Sequence, residues 1–342
     1  MYICRSEFWN TNLTWNTEAP QFTQCFQSTV LVYLPLGVLV LGAGLDLASW
    51  AQSRVRSVPC TVLYCTVLYC TVQVRSVPWA AANITKLVLT SLALGLACLE
   101  LTAALVQAHS TGEMFLTDLI APGVKMASYG LSISLLVGSR HYGQVMSPAQ
   151  FLFWTFNSLC LGLTWLSIAL GGYKDIIYTN IVFIIISFII SVIMFIFNWF
   201  ADNQPLYADL LEQADDNPCP KRFASFPSRL LYSWADSFLI AGYKNPPTQE
   251  DLWSLNTEDK LSETIPALEK KMNDTGKISI MSSLFKCYWK TFISLTIFYI
   301  SKSLLTLVSP QIINLVIGFI EEDEPVWKGY LYMVLFGVVT VG

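Results

Sequence analysis

Charge is what this sequence has least of. Only 13% of its 342 residues are charged, against about a quarter in soluble globular proteins. That shortage excludes an ordinary water-facing surface. Histidine is scarcer still: His109 and His141 stand alone, in different connecting segments. No Ser/His/Asp or metal-ligand grouping forms around them, so neither a catalytic residue nor a metal site is expected. The phosphate-cradling pattern G-x-x-x-x-G-K-[ST] is absent too, and with it the loop of backbone amides that binds a nucleotide. Twenty basic residues against 24 acidic ones leave a net charge of −4, and nucleic acid is not expected as a partner. A cleavable leader is not expected either, because the first apolar run starts late and is long enough to span a bilayer.

Apolar length is what the sequence has in abundance. Hydrophobic residues make up 54% of the chain and the mean hydropathy is +0.51. Stretches of about 20 apolar residues can cross a bilayer as helices. Candidates run near Val30–Trp50, Ile84–Gln107, Leu119–Val137, Gln150–Leu170, Tyr178–Phe200 and Thr291–Ile320. A seventh begins near Gly329 and meets the end of the sequence at Gly342, as though cut in mid-helix. The fold class expected is an all-α polytopic membrane protein, with the lipid bilayer as its first partner.

Lys and Arg set the orientation. With the N-terminus outside, the inner segments hold Arg54, Arg56, Arg75, Lys86, Arg140 and every basic residue of Ala201–Lys290. The outer segments keep Arg5, Lys174 and Lys328, the last beside the acidic run Glu321–Pro325. Asn12-Leu13-Thr14 is a glycosylation sequon on the outer side of this topology, whereas the sequons at Asn83 and Asn273 fall inside. Cys4 and Cys25 flank the same outer segment; they either pair or remain two free thiols, since spacing does not fix connectivity.

Two spans carry charges. Glu100 and Lys125 are equally distant from the loop centre near Gly112–Glu113, so a helical hairpin puts them at similar depth. An opposite pair is how a bilayer tolerates such groups, and a structural ion pair is the first reading; a place on a transport pathway is the second. Asp46, near the inner end of the first span, is within reach of the interface. Between the fifth and sixth spans, Phe226, Leu230, Trp234 and Phe238 recur every four residues. That period fits an amphipathic helix near 226–240, too short to cross and suited to the inner interface; packing against protein is the alternative.

Val55–Pro78 contains VRSVP twice, with a CTVLY repeat between the copies that places Cys60, Cys65 and Cys70 five residues apart. Close-paired zinc ligands have a different spacing. Removing Cys60–Pro78 leaves a compact basic loop, so the repeat reads as a duplication, as from a gene-model artefact, and not as a site.

The polar region from Asn217 carries a resemblance. Asn217-Pro218-Cys219-Pro220, Ala224-Ser225-Phe226, Gly242-Tyr243 and Asp251–Asn256 follow one another in order, with SLFKCYWKTF from Ser283 and Pro310-Gln311-Ile312 beyond them. Together with NLTWNTEAPQFTQCFQSTVLVYLPL from Asn12, they resemble the multidrug resistance-associated proteins, subfamily C of the ATP-binding cassette transporters. The resemblance implies an outer segment over 1–28, a five-helix N-terminal membrane domain over 29–201 and a cytosolic linker with an interfacial helix over 202–290. Residues 291–342 would then hold the first one to two helices of the exporter transmembrane domain. It also implies a plasma-membrane or vacuolar location and export of organic anions and glutathione, glucuronate or sulfate conjugates. ATP and Mg would be cofactors of the full-length protein, bound at nucleotide-binding domains outside this chain. No LSGGQ occurs here, so the chain alone is expected to be inactive. Lys302, in the sixth span, fits in kind the basic side chains with which the family meets anionic substrates; a lysine snorkelling to the inner face is the alternative. The layout is shared by the sulfonylurea receptors, which regulate a channel. A seven-helix receptor is a further reading, against which stand the long polar region after the fifth span and GSRHYG after the third.

The topology has a direct check. Endoglycosidase should shift the mobility of the chain expressed in eukaryotic cells, and Asn12→Gln should abolish the shift. An unchanged shift in the variant would overturn the assignment of Asn12.

Overall fold

The computed structural model describes residues 4, 6–55, 81–111, 115–142, 147–171, 178–200, 219–222, 224–246, 248, 252–254, 265–266, 269, 280–321 and 324–341. The repeat at Cys60–Pro78 lies outside them. The chain divides into two compact units, Met1–Leu252 and Trp253–Gly342.

The first unit opens with a single turn, α1 (Thr11–Thr14), started by the Asn10 side chain, which accepts hydrogen bonds from the amides of Asn12 and Leu13. Five long helices follow: α2 (Gln24–Val55), α3 (Ala81–Thr111), α4 (Leu116–His141), α5 (Pro148–Gly171) and α6 (Tyr178–Trp199). Each contains a stretch long and apolar enough to cross a membrane. Helices arise here because hydrocarbon offers the backbone no partner, so each segment must satisfy its own amides and carbonyls. Pro35 and Pro122 lie within α2 and α4 without ending them.

α2 packs on α4 and α5, α3 on α4 and α6, and α5 on α6. Leu39, Ala43 and Trp50 of α2, Ala93 and Ala97 of α3, and Phe153 and Trp154 of α5 share one buried cluster with Tyr129 and Met194. The Trp154 ring stacks on Tyr129 with centroids 5.9 Å apart. Its indole N–H donates to Gln150 Oε1, which also accepts from the Ser132 hydroxyl. Small residues allow the closest approaches. A Cβ on Gly42 would stand 2.7 Å from the Ala149 Cβ and 2.9 Å from its Cα, and one on Gly138 would meet the Trp50 ring at 2.5 Å.

Asp46, expected near the inner end of the first span, is covered by protein. It is buried and accepts a hydrogen bond from the Ser147 hydroxyl, one residue before α5 begins. The sequon asparagine Asn83 is fully buried and accepts a hydrogen bond from the Arg140 guanidinium.

The stretch expected as one amphipathic helix is broken. α7 (Phe226–Leu230) is capped by the Ser225 hydroxyl and stops at Leu231. Tyr232 then turns left-handed (φ 57°), a 3-10 turn spans Ser233–Ala235, and α8 (Asp236–Lys244) begins. A left-handed residue reverses the chain at a helix end, so the four-residue stripe loses its register. Phe226 packs on Phe151 of α5, with ring centroids 5.7 Å apart, and Trp234 and Phe238 are half-buried. Leu230 is exposed, as are Leu231, Leu239 and Ile240.

The second unit holds α9 (Ile280–Glu321), bent at Tyr288, and α10 (Val326–Val341), which pack on each other. Phe292–Glu321 of α9 is long enough to span, while α10 is a shorter apolar helix.

Replacing Gly42 by Val should lower the thermal stability of the purified chain by about 1–3 kcal/mol, because neither backbone can yield without opening α2 from α5. Gly37→Val is the control, since nothing lies within 4 Å of that position. Equal effects of the two, measured by thermal unfolding in detergent, would show that the close approach is unimportant.

Candidate functional site

The five long helices enclose a cavity of about 700 Å³ at the end of the bundle that carries the N-terminus. Each of them contributes to its lining, as do Ser6, Glu7, Asn10, Leu13 and Gln21–Thr23 of the N-terminal segment. A disulfide between Cys4 and Cys25, with Cα atoms 5.5 Å apart, closes that segment onto the start of α2. Phe22 N–H donates to Ser167 Oγ at 2.8 Å, and Gln27 Nε2 reaches the same hydroxyl at 3.0 Å. The Thr23 hydroxyl donates to the Phe8 carbonyl, and Phe22 stacks on Phe26 at 5.2 Å. The segment is therefore bonded to α5 as well as to α2.

At the deep end, the Lys125 ammonium donates to both carboxylate oxygens of Glu100, at 2.7 and 2.9 Å. The side chains of Lys125 and Glu100 keep 17% and 23% of their exposure and line the cavity. Separation of either charge into hydrocarbon is what the pairing prevents. Asn157 is buried at the same depth, where its Nδ2 donates to Ser191 Oγ of α6 at 2.9 Å. With no third protein group needed to satisfy the ion pair, one ammonium proton and the remaining carboxylate lone pairs are available to a guest.

Of the residues singled out in the sequence, the structure brings Glu100 and Lys125 together. Asn12 lies exposed on α1. Lys302 is exposed on α9, in the second unit, and among the described residues no ion pair reaches it. Phe226, Trp234 and Phe238 are half-buried, whereas Leu230 is exposed. Sequence reasoning missed Asn157, Ser167 and Gln27. The only signal was polarity inside apolar runs, and short polar side chains often bond to their own helix instead, as Thr155 does to the Phe151 carbonyl. Among the described residues no cluster of His, Cys, Asp and Glu could hold a metal ion.

Glu100→Gln or Lys125→Met alone should each lower the folded yield and destabilise the chain by about 3–5 kcal/mol, because one charge is then stranded. The double variant should recover most of the loss in the same detergent-resistance or thermal assay. Strictly additive losses would mean that the two groups act separately.

No protein-family profile matches the chain. Individual proteins do. ATP-binding cassette sub-family C member 2 of Homo sapiens is 24% identical over 394 residues, which covers 97% of this chain and 23% of that protein. Member 3 of Mus musculus is 24% identical and covers 95% of the chain. Member 2 of Rattus norvegicus is 25% identical and covers 99%. The chain spans under a quarter of the length of the curated relatives it matches. The similarity runs through both compact units, and over nearly its whole length the chain resembles sub-family C members of the ATP-binding cassette proteins.

Proposed function

We propose that these residues form the leading membrane region of an ATP-driven exporter of organic anions and their glutathione, glucuronate or sulfate conjugates. The single observation that carries this reading is the similarity to sub-family C members over nearly the whole chain. In this reading 1–28 is an extracellular segment, 29–201 a five-helix membrane domain, 202–290 a cytosolic linker and 291–342 the beginning of the transport core. The N-terminus faces outward from the plasma membrane, with Asn12 glycosylated. Anions are met downstream, and Lys302 is the basic side chain placed to greet them. Nucleotide and magnesium belong to partner domains, since no phosphate-binding loop occurs in the 342 residues.

The linker has a structural part in this scheme. Leu230, Leu231, Leu239 and Ile240 are each more than half exposed, and several large apolar side chains at about 1.5–3 kcal/mol each can hold a segment at a lipid surface. The inner leaflet is the surface proposed for them, while Phe226 fastens the segment to α5.

A chimera tests the proposal, with these 342 residues replacing the corresponding part of a full-length sub-family C exporter. ATP-dependent uptake of a glutathione conjugate into inside-out vesicles should persist, and the 342 residues alone should neither transport nor take up a photoreactive ATP analogue. Placing Asp at both Leu230 and Leu239 should reduce uptake, whereas Ser233→Asp should not. A chimera that reaches the membrane but never transports would overturn the assignment.

A further inference from the structure

The cavity at the N-terminal end of the bundle has a mixed lining, with polar and apolar side chains interleaved along it. Its deep end is the Glu100–Lys125 pair with Asn157 beside it, and its mouth presents Glu7, Asn10 and Gln24. Leu31, Val32, Ala104, Ala121, Leu161 and Ile168 supply the apolar part of the walls, with Gln27, Ser28, Asp118 and Thr164 set among them. Along α2 the lining runs from Gln24 to Pro35, about 16 Å at 1.5 Å per residue. A volume of about 700 Å³ falls within the range of roughly 300–1,000 Å³ typical of small-molecule sites. Water alone satisfies the polar side chains but gains little from the apolar part of the walls, and a guest that displaces it there is favoured.

The charged residues of the lining are Glu7, Asp118 and the Glu100–Lys125 pair, and at the deep end the pair bears on the charge of a guest. Lys125 and Glu100 already neutralise each other at hydrogen-bond distance. An anion would have to draw Lys125 away from Glu100, and a cation the reverse, leaving one partner unpaired within the bundle. A hydroxyl or amide disturbs neither, since it accepts from the free ammonium proton and donates to a carboxylate lone pair. We infer that the cavity is a binding site for a neutral, elongated molecule with hydroxyl or amide groups at both ends of an apolar body, the chemistry of a steroid diol. This goes beyond the export reading. The guest is uncharged where the proposed cargo is anionic, and its site lies in the first compact unit, not with Lys302.

The test is equilibrium binding of a tritiated neutral steroid diol to the full 342-residue chain in lipid nanodiscs, with protein-free nanodiscs as the partition blank. A single saturable component should appear, displaced by unlabelled diol. The bis-sulfate of the same diol, a dianion, and its parent hydrocarbon should each compete at least about tenfold more weakly, a difference of about 1.4 kcal/mol. Ala104→Phe fills the wall and should abolish saturable binding. Leu99→Phe, on an exposed position of the same helix, should leave it intact. Ala108→Leu, also in the lining, serves if the first variant shows no cooperative thermal transition. Absence of a saturable component, equal competition by the bis-sulfate, or full binding by a folded cavity-filling variant would each overturn the inference. None of these outcomes depends on ATP or transport, so the export proposal stands or falls separately.

Discussion

In a lipid environment the outside of a helix bundle is as apolar as its inside, so removal of apolar surface from water does not tell the helices how to meet. Close packing and hydrogen bonds take over that task. The arrangement of this bundle follows from them. Gly42 lets α2 and α5 touch backbone to backbone at Ala149, and Gly138 admits the Trp50 ring against α4. Between those contacts run polar links, from Asp46 to Ser147, Gln150 to Ser132 and Asn157 to Ser191. Two of them join residues of different helices, and the first joins α2 to the residue that leads into α5. Each restrains a rotation about a helix axis that leucines alone would leave open.

The same constraint accounts for where the cavity lies. The buried cluster around Trp154 and Tyr129 fills the bundle's middle. Toward the N-terminal end the side chains that meet are short or polar, with Ala104, Ala108, Ser128 and Asn157 among them, and space remains between the helices. A charge in that space requires an opposite charge within reach, which Glu100 and Lys125 provide for each other. The ion pair is thus both a support for the fold and the chemical character of the cavity.

The spans could be read from the sequence because bilayer crossing imposes a length and an apolarity that no other local feature imitates. The meeting of Glu100 with Lys125 was readable for a similar reason. A short loop between two spans turns distance along the chain into depth, and equal distances give equal depth. Asp46 and Ser147 are 101 residues apart with no such rule to connect them, so the burial of Asp46 was invisible. The break at Tyr232 was hidden by a period of four that remained intact in the letters, since spacing does not report a single left-handed backbone. The cavity was hidden most completely, because it is a property of five helices together and of no residue in particular.

The N-terminal segment is tied at two very different ranges. Its disulfide joins residues 21 apart, while the hydrogen bond from Phe22 to Ser167 spans 145. During synthesis the first tie can be made once α2 begins to emerge, whereas the second must wait until nearly all of α5 exists. A nascent chain therefore passes through an interval in which its first loop is already cross-linked but has no seat. Trp9 and Phe22 of that loop pack together and against Phe26 of α2, which gives the loop an interior of its own during the delay. Quality-control machinery that inspects half-made membrane proteins would meet a small closed knot there and not a loose polar tail.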